Sequence, residues 1–291
     1  MTFDEIQSYN SLVFERLSVV LNYRPDFVTK DMVDSLAAEC DISEKEAFSL
    51  LFFAALGFDT ENKHDRDIYE NYVPFMFNLL DETVFENDLY YKTVRVEDKK
   101  TFGDWELFES VLPPFSAFVC DDPITFPDGR IIPQIGVFDK DYRFLSVSQK
   151  GREWMTLMPN EIVTQRLPIK KAKGKVLTYG LGLGYFAFMC AEKDEVASVT
   201  VVERDEEVVS LFKKFIFPYF KNKEKIKIVL SDAFEYAEKV APFENFDYIF
   251  ADIWHDASDG VELYKKFKKL ESLCPDSTFD YWVENTLKLY M

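Results

Sequence analysis

Val176-Leu177-Thr178-Tyr179-Gly180-Leu181-Gly182-Leu183-Gly184, followed by Tyr185-Phe186-Ala187-Phe188-Met189-Cys190-Ala191, is the stretch whose reading decides the fold. Val176–Tyr179 reads as a buried strand, the alternating glycines as a tight turn, and Tyr185–Ala191 as a helix. The same alternation continues downstream. Ser198–Val202 forms a second strand, and Val208, Leu211, Phe212, Phe215 and Tyr219 then recur at helical spacing. Ile226–Leu230 is a third strand, Asp247–Ala251 a fourth, and Val261–Leu273 a further amphipathic helix. Strands that alternate with helices imply an α/β fold with a doubly wound, mostly parallel sheet.

Upstream the pattern changes twice. Ile6, Leu12, Val13, Leu17 and Val20, then Met32, Val33, Leu36 and Ala37, follow three- and four-residue spacing, so residues 1 to about 95 read as helical. Ser43 and Glu46 make a capping box, with Gly57 a natural stop for that helix. Residues 30–57 have the length of a helix-turn-helix but no basic recognition face. Pro113-Pro114, Pro123, Pro127-Asp128-Gly129 and Pro133 then break the chain between short β-like runs at Ile131–Phe138 and Tyr142–Val147. Three parts are expected: a mostly helical domain over 1–120, a small β element over 121–160, and the α/β domain over 161–291.

With 34 basic against 52 acidic residues, the net charge of −18 repels a phosphate backbone, so nucleic acid is excluded as a partner. The runs 170–173 and 265–269 are too short to reverse that field. The longest apolar run, near Leu50–Phe58, cannot span a bilayer, so no membrane partner is expected. Four separated cysteines and two histidines argue against a disulfide framework or a metal site and fit a reducing, cytoplasmic setting.

Ligands of open α/β sheets sit beyond the carboxyl ends of the strands. Four features fall there. The glycine loop lets a ligand approach the backbone. Glu203 ends the second strand, 23 residues after Gly180, where a carboxylate can accept from two ribose hydroxyls. Ser231-Asp232-Ala233-Phe234 ends the third strand, with Asp232 suited to an adenine amino group. Asp252-Ile253-Trp254-His255-Asp256 ends the fourth. Each acid alone reads equally well as a helix cap; the four at successive strand ends make the signal. A dinucleotide fingerprint would need a third glycine at position 185, which is Tyr.

On these residues the chain resembles the class I S-adenosylmethionine-dependent methyltransferase superfamily, nearest its spermidine-synthase-like branch, over roughly residues 140–273. Val176–Gly184 is similar to that family's first motif, and Asp232-Ala233-Phe234 to the adenine-edge motif of aminopropyltransferases. The resemblance implies S-adenosylmethionine as cofactor, with Tyr179, Gly180, Leu181, Gly182, Gly184, Glu203, Arg204, Asp232, Ala233 and Asp252 around it. The resemblance places Asp252 facing the reacting centre as a catalytic residue; His255, one of two histidines and adjacent to Asp256 in the same loop, is the candidate catalytic base. His64, in a polar run, is expected at the surface. The implied partner is a small-molecule or protein methyl acceptor.

Leu181 and Leu183 replace the loop acid usual in spermidine synthases, and residues 252–256 replace their Asp-Ser-Ser/Thr-Asp-Pro motif, which favours methyl transfer over polyamine synthesis. A nucleoside-binding protein without catalysis is the alternative. Thr278–Met291 reads as a helix, so the sheet is expected to end after its fourth strand. The far wall of the acceptor site must then come from the helical domain, from Phe102–Phe118, or from a second copy of the chain in a homodimer.

Overall fold

The computed structural model describes residues 1–291, which divide by contact into two compact units. Each is built from two separate stretches of chain: Met1–Val84 with Val111–Arg143, and Phe85–Ser110 with Phe144–Met291. The borders between these units fall at residues 84/85, 110/111 and 143/144. Trp105–Leu112 is extended within the expected 1–120 part, beyond the stretch to about residue 95 read as helical, and Phe118–Thr125 crosses its border. No helix is long and apolar enough to cross a membrane.

The first unit carries helices Phe3–Tyr23, Lys30–Cys40, Glu44–Ala55 and Lys63–Met76. The Ser43 capping box is formed: Glu46 N–H donates to Ser43 Oγ at 3.2 Å and Ser43 N–H to Glu46 Oε2 at 2.9 Å. A three-stranded sheet completes the unit, with Ile131–Val137 between Phe77–Leu79 and Phe118–Thr125. Phe48, Phe52, Phe77 and Phe115 pack in its core, with ring centroids 5.3–5.8 Å apart.

The second unit holds the α/β domain. Its strands are β1 (Gly174–Tyr179), β2 (Val196–Glu203), β3 (Ile226–Leu230), β4 (Tyr248–Ala251) and β5 (Thr278–Tyr281). They lie in the order β3-β2-β1-β4-β5, every pairing parallel. Helix α1 (Pro159–Lys171) precedes β1, and α2 (Tyr185–Ala191), α3 (Glu206–Phe215), α4 (Ala233–Lys239) and α5 (Ala257–Leu270) lie in the connections between successive strands. Both faces are covered. Phe250 stacks on Phe186 of α2 at 4.4 Å, while Tyr179 packs on Tyr236 of α4 and Phe267 of α5 on the opposite face. The doubly wound, Rossmann-like sheet expected from the sequence is present.

One expectation is corrected. Thr278–Met291 is not wholly helical: Thr278–Tyr281 pairs with β4 as a fifth strand, and only Glu284–Leu289 is helical. Four residues are too few to show a period, and the strand is stabilised by the free edge of β4 rather than by local propensity.

A second, four-stranded sheet joins Lys100–Phe102, Trp105–Leu112, Tyr142–Gln149 and Arg152–Thr156. Its last strand runs straight into α1. That connection brings β-sheet side chains to the ends of β1 and β4.

Candidate functional site

The ladder hydrogen bonds run one residue past the strands. Gly180 N–H donates to Val202 O, Ser231 N–H to Glu203 O, Asp252 N–H to Tyr179 O and Trp282 N–H to Ala251 O, all at 2.9–3.0 Å. The residues that follow each strand are therefore held in line at one edge, and a cavity of about 440 Å³ opens there. That lies within the range of about 300–1,000 Å³ common for small-molecule sites.

Gly180, Leu181, Gly182, Glu203, Arg204, Asp232, Ala233, Asp252 and His255 all line it. Tyr179 and Gly184 do not. Tyr179 turns its ring into the α4/α5 layer, and Gly184 opens α2 with its back against Phe212. Gly180 sits at φ +95° with no room for a side chain, because a Cβ would overlap the Asp252 carbonyl oxygen.

Glu203 is 8% exposed and already committed. Oε1 accepts from the Arg204 and Asp205 amides at 2.8 and 2.9 Å, and Oε2 from the Leu181 amide at 3.1 Å. A carboxylate has about four acceptor positions, so roughly one remains for a ligand. Asp232 caps α4 through Oδ1, which accepts from the Phe234 and Glu235 amides; its second oxygen is not used by that cap. His255 is exposed at the rim, and its Nδ1 lies 3.0 Å from Asp259 Oδ2, not beside Asp256, which caps α5.

The opposite walls come from elements the sequence reading did not enlist. Glu153, Trp154, Met155 and Thr156 contribute from the last strand of the second sheet, with Met155 lying against Gly182. Glu161 and Gln165, one turn apart on α1, face Asp252, and Gln165 Nε2 approaches Asp252 Oδ2 at 3.5 Å. Trp282, after β5, donates from its indole to Thr164 Oγ1 at 3.0 Å. None of these wall residues lies in 1–120. The i, i+4 spacing of Glu161 and Gln165 was the available signal; nothing local tied it to Asp252, 87 residues away.

The lining is acidic: Glu153, Glu161, Glu203, Asp232 and Asp252 against Arg204. Protein surrounds Glu161 and Asp252 except toward the cavity. Burial pushes the Asp252 carboxyl up to about 7. Burial, and then the charge of Asp252, raises Glu161 well above the usual carboxylate range. Both folded values lie above the unfolded ones, so the folded state binds protons more tightly. The associated stability is full below the unfolded carboxylate range and is lost as pH rises through about 7. Wild type is expected to lose at least about 2 kcal/mol between about pH 5 and about pH 8, and the double variant Glu161→Gln/Asp252→Asn much less. Thermal denaturation at the two pH values checks this; equal losses would mean that water solvates the pair.

Residues 160–273 match the family model of the spermine/spermidine synthase domain. This stretch is a spermidine-synthase-like domain. Among solved structures the chain is similar to spermidine synthase from Thermotoga maritima, at 18% identity over 50% of this chain and 56% of that one, with a TM-score of 0.36. It is also similar to a spermidine synthase in complex with the transition-state analogue AdoDATO, at 18% identity over 48% and 52%, TM-score 0.35. A Staphylococcus aureus protein provisionally assigned as a caffeoyl-CoA O-methyltransferase matches at 24% identity over 40% and 51%, TM-score 0.30. The chain thus spans about half the length of these structures. No curated protein matches it. Within the spermidine-synthase-like domain, both carboxylates of the raised pair, Glu161 and Asp252, fall inside the matched residues.

Proposed function

We propose that the spermidine-synthase-like domain binds S-adenosylmethionine and transfers its methyl group to an acceptor. The observation that carries this reading is that Gly180–Gly182, Glu203, Asp232 and Asp252 line one cavity. Glu203 would accept from a ribose hydroxyl with its remaining lone pair, and Asp232 from the adenine amino group with the oxygen its helix cap leaves over. Two buried atoms without partners, Gln165 Oε1 and Trp254 Nε1, belong to residues that line the same cavity, as expected of a site that receives a polar ligand. When bound, the sulfonium nucleoside supplies an electrophilic carbon. The protein's part is to orient the acceptor and to receive its proton. His255 is suited to the second task. Asp259 holds Nδ1, which leaves Nε2 as the proton acceptor at the rim.

Aminopropyl transfer is the second reading, favoured by the family match and by the excess of carboxylates around the cavity. Titration calorimetry with S-adenosylmethionine, decarboxylated S-adenosylmethionine and the demethylated thioether separates the two. Methyl transfer expects tightest binding of S-adenosylmethionine, aminopropyl transfer of its decarboxylated form; no binding of any of the three refutes both. His255→Ala is expected to slow turnover at least tenfold, about 1.4 kcal/mol, with nucleoside affinity little changed.

A further inference from the structure

Gly182 and Gly184 sit at φ +50° and +76°, so the glycine loop has little conformational preference of its own and takes its shape from what holds it. Two side chains hydrogen-bond its backbone. Glu203 Oε2 accepts from the Leu181 amide at 3.1 Å, and Tyr90 Oη donates to Leu183 O at 2.5 Å. Gly182, which lines the cavity, stands between these two anchors. Tyr90 comes from the short helix Leu89–Thr93 and is not part of the cavity wall. It is buried, with its ring 5.5 Å from that of Tyr185 and 5.3 Å from that of Phe188, both on α2. Asp88 caps the short helix through Oδ1, which accepts from the Tyr90 and Tyr91 amides at 2.8 and 3.3 Å. Its Oδ2 accepts from Tyr185 Oη at 3.0 Å, and Tyr185 both opens α2 and lines the cavity. The stretch Asp88–Tyr90 therefore holds the end of the loop and the first residue of the helix that follows it. All these residues belong to the second unit. Removal of the Tyr90 hydroxyl would leave a buried carbonyl without its donor, and the loop would gain by turning that carbonyl toward water.

We propose that Tyr90 and Asp88 are positioning residues that clamp the glycine loop in the conformation presenting Leu181 and Gly182 to the cavity. They act through the loop and through Tyr185, not on the ligand. With the clamp closed, the loop is ready before a ligand arrives. Without it, the competent conformation is one of several, and affinity falls by the fraction of molecules that leave it. Both residues lie outside 160–273, so the clamp is supplied from beyond the spermidine-synthase-like domain. The clamp itself needs no particular ligand; its effect on nucleoside affinity rests on the reading of the cavity given above.

Tyr90→Phe removes one hydroxyl and keeps the ring against Tyr185 and Phe188. Amide hydrogen exchange of the ligand-free full chain and calorimetry with S-adenosylhomocysteine read the two consequences, at a temperature where the protein is fully folded. Exchange at the Leu181 and Gly184 amides, both hydrogen-bonded, is expected to quicken by about threefold to tenfold, and Kd to rise by a similar factor. Tyr248→Phe is the control. It too loses a hydroxyl bond, to Asp280 Oδ2 from the first residue of β4, at the end of that strand away from the cavity. It should lower the denaturation midpoint and leave loop exchange and Kd unchanged. Unchanged loop exchange in Tyr90→Phe overturns the clamp. Faster exchange with an unchanged Kd assigns the hydroxyl to stability alone and overturns its positioning role. If wild type binds no nucleoside, the nucleoside reading fails, and loop exchange by itself decides the clamp. If Tyr90→Phe does not fold, Asp88→Ser takes its place: serine keeps a helix-capping oxygen but is too short to reach Tyr185, and the same outcomes decide.

Discussion

Gly180→Ala is expected to abolish ligand binding and to destabilise the domain by about 2–4 kcal/mol. Position 180 has φ +95°, and an added Cβ would overlap the carbonyl oxygen of Asp252. That oxygen belongs to backbone fixed by the Asp252 N–H bond to Tyr179 O, so it cannot swing aside as a side chain could. The ends of β1 and β4 would have to separate, which opens the cavity at its base. Gly151→Ala is the control. Its φ of +76° is comparably strained, but nothing lies within 4 Å of the new Cβ. Backbone strain alone is worth about 1 kcal/mol there. Chemical denaturation of both variants separates strain from collision. Equal losses would show that the close approach of the two strand ends does not matter.

Glu203→Gln should follow with the second largest effect. The carboxylate accepts from three backbone amides, and an amide side chain would turn an N–H toward at least one of them. A loss of about 1–3 kcal/mol in stability is expected from that mismatch. On the proposed reading, nucleoside affinity should fall at least tenfold, about 1.4 kcal/mol, because the oxygen that accepts from the Leu181 amide is the one left with a lone pair for a ribose hydroxyl. Denaturation and calorimetry on one sample test both parts. A stability loss with unchanged affinity would assign Glu203 to holding the glycine loop and place the ribose elsewhere.

The double duty of Glu203 shows where sequence reading stops. Its place at the end of β2 follows from the apolar run Val199–Val202, and the cavity position follows from that. Two of the amides that occupy it, Arg204 and Asp205, are its own chain neighbours, but the third, Leu181, depends on how the glycine loop turns back over β2, which no local pattern encodes. Asp252 is a similar case. Its position after β4 is legible, but its raised proton affinity comes from burial by the packed structure around it. His255 was paired in sequence with its neighbour Asp256, whereas the first turn of α5 brings Asp259 to the ring. Strand β5 was missed because four residues show no usable period, and its pairing depends on an edge that exists only after β4 has folded.

What the sequence determined by itself was the order of elements from β1 through α5 and the residues at the ends of the first four strands. Hydrophobic periodicity and glycine spacing are local, and a parallel sheet places every strand's carboxyl end on one side. What only the tertiary structure decided was the chemistry of the cavity. The wall of Glu153–Thr156, the approach of Gln165 to Asp252 and the Leu181 bond to Glu203 all arise where segments distant in sequence meet. Burial and hydrogen-bond saturation are properties of that meeting, and no single segment carries them.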